Sequence, residues 1–403
     1  MGKSEKVTLL ASIVLVGFVF AIIFHYILGF YLHLPYPFNT FLCIPDQAFS
    51  DFTSTLSRIR NFTPYSSPDP WMTYFPLAYI ILFPFSLIKH RLIAYLIFAS
   101  GFLSFLTFMN IKNLYNKNLT KVENFTNIFI LTFMTYPVLY AMDRGNFDLF
   151  LFVLFSGFVY SFKNEKYFLS AALLGIENAI KPFPSLFLIL FLLKKRFKEF
   201  FLSLAISALL IIGGFLVLKG GFFNQLQVYI NNLVIFKKTW IYGANSLGLS
   251  EASSLFAALK FLLCSVNQII SINLLEKLYT YIGFIITAIT IYFTCKEKTY
   301  WKKVTLLTLN MLLVPYIIID YKLIFLLVPI WLFVNAKEKT KFDMAYTVLF
   351  GLLLVSKKLF VLWVKSGHLS QLITYGVIIN PLIMLIFVGL IIFEQFYTKK
   401  EVE

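Results

Sequence analysis

Apolar runs approaching the roughly 20 residues that cross a bilayer's hydrocarbon core recur along the whole chain, separated by short segments rich in Lys. Within lipid, every backbone polar group must find its partner inside the segment, so such runs fold as helices. With 59% hydrophobic residues, 19% aromatic and 13% charged over 403 positions, little is left to build a water-soluble domain. The net charge of +16 raises the question of nucleic acid. However, the Lys and Arg residues fall in clusters between apolar runs and form no basic face with stacking aromatics, which excludes a nucleic-acid partner and fits the positive-inside rule. The first run, 7–28, follows Lys3 and Lys6, is too long for a signal-peptide core and has no small-residue cleavage site after it, so it reads as a retained span.

The Lys clusters then set a topology. Lys112/Lys117/Lys121, Lys163/Lys166, Lys194/Lys195/Arg196/Lys198, Lys296/Lys298/Lys302/Lys303, Lys337/Lys339/Lys341 and Lys399/Lys400 mark cytoplasmic turns, with both termini inside. Alternation predicts twelve crossings: 7–28, 92–111, 125–141, 147–162, 167–180, 183–193, 200–218, 278–294, 304–319, 322–333, 342–355 and 372–393. The apolar piece 75–88 must stay on the outer side as a half-inserted or interfacial helix, or the cluster at 112–121 would face outward. The expected fold class is all-α, a polytopic membrane protein with a single transmembrane domain over 1–403. Its non-membrane mass lies in two outer segments, 29–91 and 219–277.

Polar residues gather on the outer side of this scheme. Between two apolar runs sits Met142-Asp143-Arg144-Gly145-Asn146-Phe147-Asp148. An ionised side chain at membrane depth costs roughly 2.5–3.5 kcal/mol on insertion scales unless it faces a wet cavity or a partner. A second constellation begins at Asp46 and reaches Asp51-Phe52, followed by Leu56, Ile59 and Phe62 at helical spacing, which predicts a short amphipathic helix at the interface. Pro64-Tyr65 through Pro70-Trp71 breaks it, and Tyr74-Phe75-Pro76-Leu77 opens the next apolar piece. In a third, Glu177-Asn178-Ala179-Ile180-Lys181-Pro182-Phe183-Pro184, a Lys and two prolines interrupt a hydrophobic hairpin. The backbone groups freed there are tolerated only where the break is packed in protein or lines a cavity. Asn245-Ser246 and Asp320-Tyr321-Lys322 carry weaker signals. Cys43, Cys264, Cys295 and the four His residues show no metal-ligand spacing.

The order of these elements resembles the GT-C superfamily of polytopic glycosyltransferases, most closely its family-87 branch of polyprenol-phosphate-mannose-dependent mannosyltransferases. Asp51-Phe52, Pro64-Tyr65, Tyr74-Phe75-Pro76-Leu77, Arg144-Gly145-Asn146 and Lys181-Pro182-Phe183-Pro184 carry the resemblance, over roughly residues 46–200. Where the family often has Gly-Gln-Asn and Tyr-Pro-Pro-Leu, this chain has Arg144-Gly145-Asn146 and Tyr74-Phe75-Pro76-Leu77.

The resemblance implies an inner-membrane enzyme that takes a hexose from a polyprenyl-phosphate donor to a lipid or glycan acceptor at the extracytoplasmic face, inverting the anomeric centre. Asp51 is then the general base, with Asp143 as the other catalytic carboxylate. Arg144 and Lys181 meet the donor phosphate with Lys322 behind them, and Asn146, Asp148, Tyr65, Tyr74, Asn245 and Asp320 bind substrate. Such a donor needs no divalent ion to neutralise a diphosphate, so no metal cofactor is expected. An O-antigen ligase or polymerase-type enzyme with a diphosphate-linked donor would favour a large late loop rich in Arg and His, whereas the largest outer segment here follows the first span. A transporter or flippase would show inverted repeats with paired broken helices, and no internal repeat is visible.

Overall fold

The computed structural model describes residues 1–59, 61–65, 72–242, 252–265, 272–358, 361–366 and 369–400. Among these residues, five helices are each long and apolar enough to cross a membrane: Lys3–Tyr31, Arg91–Leu114, Phe197–Val217, Ile272–Lys296 and Gly376–Tyr397. A sixth span results if Lys121–Phe133 and Tyr136–Arg144, bent by 46°, count as one. Pro137 accounts for the bend, because a proline in the first turn starts a helix well but cannot continue the preceding one. The protein is a multi-pass helical membrane protein.

The other expected crossings are short or broken. Asp148–Lys163 has 16 residues, about 24 Å at 1.5 Å per residue, against a hydrocarbon core of about 30 Å. Two more are entered through 3-10 turns, Phe183–Leu188 before Ile189–Leu193 and Asp320–Leu326 before Leu327–Val334. Among the described residues, five or six helices have the length and composition of a full span, where alternation of the Lys clusters predicts twelve crossings. Pro76–Ser86, with 11 residues, is too short to cross. The helical fold has one addition, an antiparallel hairpin of Val361–Ser366 with Leu369–Thr374. The final helix accordingly starts at Gly376, later than the expected 372.

The chain divides into two compact units, one of Met1–Asp46, Leu103–Ala141 and Ala244–Glu403, the other of Gln47–Phe102 and Met142–Gly243. In the first unit, Trp331 is buried with its indole N–H donating to Asn110 Oδ1 at 2.7 Å. Two ion pairs are also buried there, Lys6–Asp343 at 3.1 Å and Lys302–Glu394 at 2.8 Å. Charges taken out of water persist only when paired, so these pairs fix which helices meet.

The second unit is built on the helical hairpin of Asp148–Lys163 and Tyr167–Asn178, whose buried Phe155 and Phe158 pack edge-on against Phe187. Helix Phe197–Val217 lies directly on Tyr167–Asn178. A Cβ at Gly175 would sit 2.9 Å from Ile206, and Ser207 Oγ donates to the Gly175 carbonyl at 3.0 Å. This close contact holds the end of Tyr167–Asn178, and with it the turn that carries Lys181.

Candidate active site

In the second unit, helix Ser50–Ile59 buries Phe52, Leu56 and Ile59, which recur at i, i+4 and i+7 along one face. Phe52 stacks on Phe98, with ring centroids 5.1 Å apart, and meets Phe85 edge-on. The opposite face carries Asp51, Ser54, Thr55 and Arg58. The helix is anchored at its start by the Phe49 N–H, which donates to the Asp143 carbonyl at 2.7 Å. The partner turn relies on Gly145, whose φ of +64° favours glycine and where an added Cβ would lie 3.0 Å from Phe52 Cβ and 3.2 Å from Phe49 Cα. Tyr95 supports the same turn by donating its hydroxyl to the Met142 carbonyl.

This apposition brings Asp51 onto Arg144 and Asn146. Arg144 Nη2 lies 2.5 Å from Asp51 Oδ1 and Nε lies 3.3 Å from Oδ2, while Asn146 Nδ2 donates to Oδ2 at 2.7 Å. The other end of the Asn146 amide accepts the Asp148 N–H at 2.9 Å, so its orientation is fixed from both sides. A carboxylate offers about four acceptor positions; these contacts use three and leave one on Asp51 Oδ1.

Asp148 opens helix Asp148–Lys163 and leads to the second charged pair. Lys181 Nζ lies 2.7 Å from Asp148 Oδ1, donates to the Tyr74 hydroxyl at 3.0 Å and stands 4.1 Å from the centre of the Tyr74 ring. One ammonium hydrogen stays uncommitted, since an ammonium has three donors. The Lys181 N–H donates to the Glu177 carbonyl, and the Phe75 N–H donates to the Ile180 carbonyl at 3.1 Å, which ties the Tyr74 segment to this turn. Tyr65 supports it from behind: its ring is buried against Tyr79, Phe215 and Tyr229, and its hydroxyl donates to the Tyr74 carbonyl at 2.5 Å. Burial, reinforced by Asp148 and Asp51, pushes the Tyr74 phenol well above its ordinary range, so it stays neutral. The Asp51, Arg144 and Lys181 side chains are 23%, 17% and 17% exposed, whereas Asp148 is closed off at 0%. The first three are therefore the accessible groups of the two pairs.

The structure thus gathers Asp51, Arg144 and Asn146 in one constellation and Asp148, Lys181 and Tyr74 in the next, joined by the Asn146 bond to the Asp148 N–H, with Tyr65 behind Tyr74. Asp143 enters through its carbonyl. Asp320 and Lys322 belong to the other unit. There Asp320 is buried and accepts from Tyr136 at 3.2 Å, from Asn380 at 3.4 Å and from Ser253. Asn245 lies outside the described residues. Sequence reasoning gave no role to Gly145, Tyr95 or Glu177. Glu177 did carry a signal, as an acid inside an apolar run four residues before Lys181.

Among known families, that of glycosyltransferase family 87 has a model matching residues 71–315. No curated protein and no solved structure matches. Tyr74, Asp143, Arg144, Asn146, Asp148, Lys181 and Asn245 fall inside the matched stretch, Asp51 and Tyr65 precede it, and Asp320 and Lys322 follow it.

Proposed function

The chain belongs to glycosyltransferase family 87, and on that premise we propose that it transfers a hexose, mannose in our reading, from a polyprenyl-phosphate donor to a lipid-linked or glycan acceptor at the extracytoplasmic face. The observation that carries this reading is the pairing of one partly exposed carboxylate, Asp51, with two partly exposed cations, Arg144 and Lys181, inside one unit.

The acceptor hydroxyl donates to the remaining position on Asp51 Oδ1. As its oxygen attacks the anomeric carbon, the proton passes to Asp51. The bond from that carbon to the phosphate oxygen breaks on the opposite side, its electron pair stays with the phosphate, and the anomeric centre inverts. Arg144 and Lys181 face the charge that develops on the leaving group, and a cation held in place before the reaction lowers the barrier without reorganising. Asn146 fixes the rotation of Asp51, and the neutral Tyr74 adds no negative charge beside the phosphate. Asp148 holds Lys181 in place. Because the two cations supply the neutralisation, no divalent ion is required, and transfer should persist in excess EDTA.

The test is transfer by the purified protein in lipid nanodiscs, using polyprenyl-phosphate mannose and a membrane lipid extract as acceptor source. Wild type should give a labelled product, and Asp51→Asn should give none while retaining wild-type thermal stability. Full activity in the Asn variant would move the base to Asp143. Activity only with a polyprenyl-diphosphate sugar would overturn the donor class.

A further inference from the structure

Two ion pairs frame the site, Arg144 with Asp51 and Lys181 with Asp148, and Glu177 belongs to neither. Glu177 is fully buried in the second unit, and neither of its carboxyl oxygens has a hydrogen-bond partner among the described residues. Asp148 is equally buried: Lys181 engages Oδ1, and Oδ2 is without a partner. The two acids belong to one cluster. The Glu177 carbonyl accepts the Lys181 N–H at 3.0 Å and the Lys181 ammonium reaches Asp148, and the Asp148 charge acts on the Glu177 carboxyl.

A buried carboxylate that receives no hydrogen bond is not sustained in its charged form, least of all near a second carboxylate that is already paired with Lys181. Taking up a proton removes the charge and creates an O–H donor, the group that Asp148 Oδ2 lacks. We propose that Glu177 is protonated and donates to Asp148 Oδ2, and that it is thereby the positioning residue of the Lys181–Asp148 pair. With both oxygens occupied, Asp148 keeps a single rotamer and spreads its charge over two donors. Its hold on Lys181 is loosened enough for the ammonium to turn toward an incoming phosphate. This catalytic consequence rests on the donor reading given above; the proton on Glu177 does not.

Infrared spectroscopy of the purified protein at neutral pH tests the proton directly. Wild type and Asp51→Asn should show a protonated-carboxyl stretch that disappears in Glu177→Gln. Binding of a synthetic polyprenyl phosphate then tests the positioning role. Glu177→Gln, whose amide still donates to Asp148, should keep the dissociation constant within about twofold, whereas Glu177→Leu should raise it about tenfold, the effect of one lost charge-assisted hydrogen bond. An unchanged carboxyl band in Glu177→Gln would overturn the proposal. So would equal weakening in Gln and Leu, which would mean that the acid acts in its charged form. If Glu177→Leu fails to fold, the Gln variant still decides both points. If wild type does not bind polyprenyl phosphate at all, the donor reading fails while the infrared result still decides the state of Glu177.

Discussion

At residue scale, the tightest constraint on the site is a side chain that is missing. A methyl group at position 145 would meet Phe52 and the Phe49 backbone at 3.0–3.2 Å while holding a φ of +64°, and the left-handed conformation alone costs roughly 1–2 kcal/mol. Gly145→Ala should therefore lower the melting temperature modestly but reduce transfer by at least about tenfold, because the strain is relieved by moving helix Ser50–Ile59 and with it Asp51. A variant with wild-type turnover would show that the Asp51 to Arg144 distance is not critical. Lys181→Met should weaken donor binding and slow transfer by about tenfold to a hundredfold, the worth of one charge-assisted hydrogen bond to the phosphate, and leave acceptor affinity unchanged. A raised acceptor constant with unaltered donor kinetics would place Lys181 in the acceptor site instead. The sequence singled out Arg144 and Lys181 as ionised groups beside apolar runs and Asp51 through the family resemblance. Their pairing was not legible, since it depends on a close approach of two backbones that only the folded chain reveals. Glu177 stood in the motif without a role, because hydrogen bonds that are not made leave no trace in a sequence.

Elements were legible in kind more than in extent. The amphipathic helix bearing Asp51 follows from the spacing of Phe52, Leu56 and Ile59, and the break at Lys181 follows from Pro182 and Pro184. The lengths of the helices did not follow, because an apolar run looks alike whether it forms a full span, a short helix or a helix entered through a 3-10 turn. The strands Val361–Ser366 and Leu369–Thr374 were missed because 356–371 falls between two expected spans and only 372–374 reads as part of the last one. The function of helix Ser50–Ile59 depends on its buried face. Leu56, 1% exposed, anchors it, and Leu56→Ala should cost about 2–5 kcal/mol of packing, with loss of transfer as Asp51 drifts from Arg144. Ser57 is exposed on the same helix, with its hydroxyl bonded only to the Thr53 and Ser54 carbonyls, and Ser57→Ala should change stability by no more than about 0.5 kcal/mol. Equal effects of the two substitutions, in thermal unfolding and in transfer assays, would show that the helix is not held by its apolar face.

For the whole molecule, helix Arg91–Leu114, with 24 residues, separates two exposed positions, His90 and Lys117. In a background lacking the three native cysteines, a cysteine at 90 should react with an impermeant reagent from outside and one at 117 only from inside; labelling of both from one side would remove the assignment of the active site to the outer face. A pH effect belongs to the other unit, where burial lowers the Lys357 amine to about 7 despite the opposing pull of Asp320. An unfolded Lys titrates near 10.4. Between those two values the unfolded chain binds the extra proton and the folded chain does not, so this residue makes stability rise with pH from about 7 to about 10; below 7 the cost of burying its charge is carried in full. Lys357→Met removes the titrating group. The melting temperature of wild type should therefore climb relative to Lys357→Met as pH is raised from 7 to about 9.5, and the difference between the two should stop changing below pH 6. A constant difference across the whole range would mean that Lys357 stays charged in the folded protein, held by Asp320 strongly enough to offset its burial.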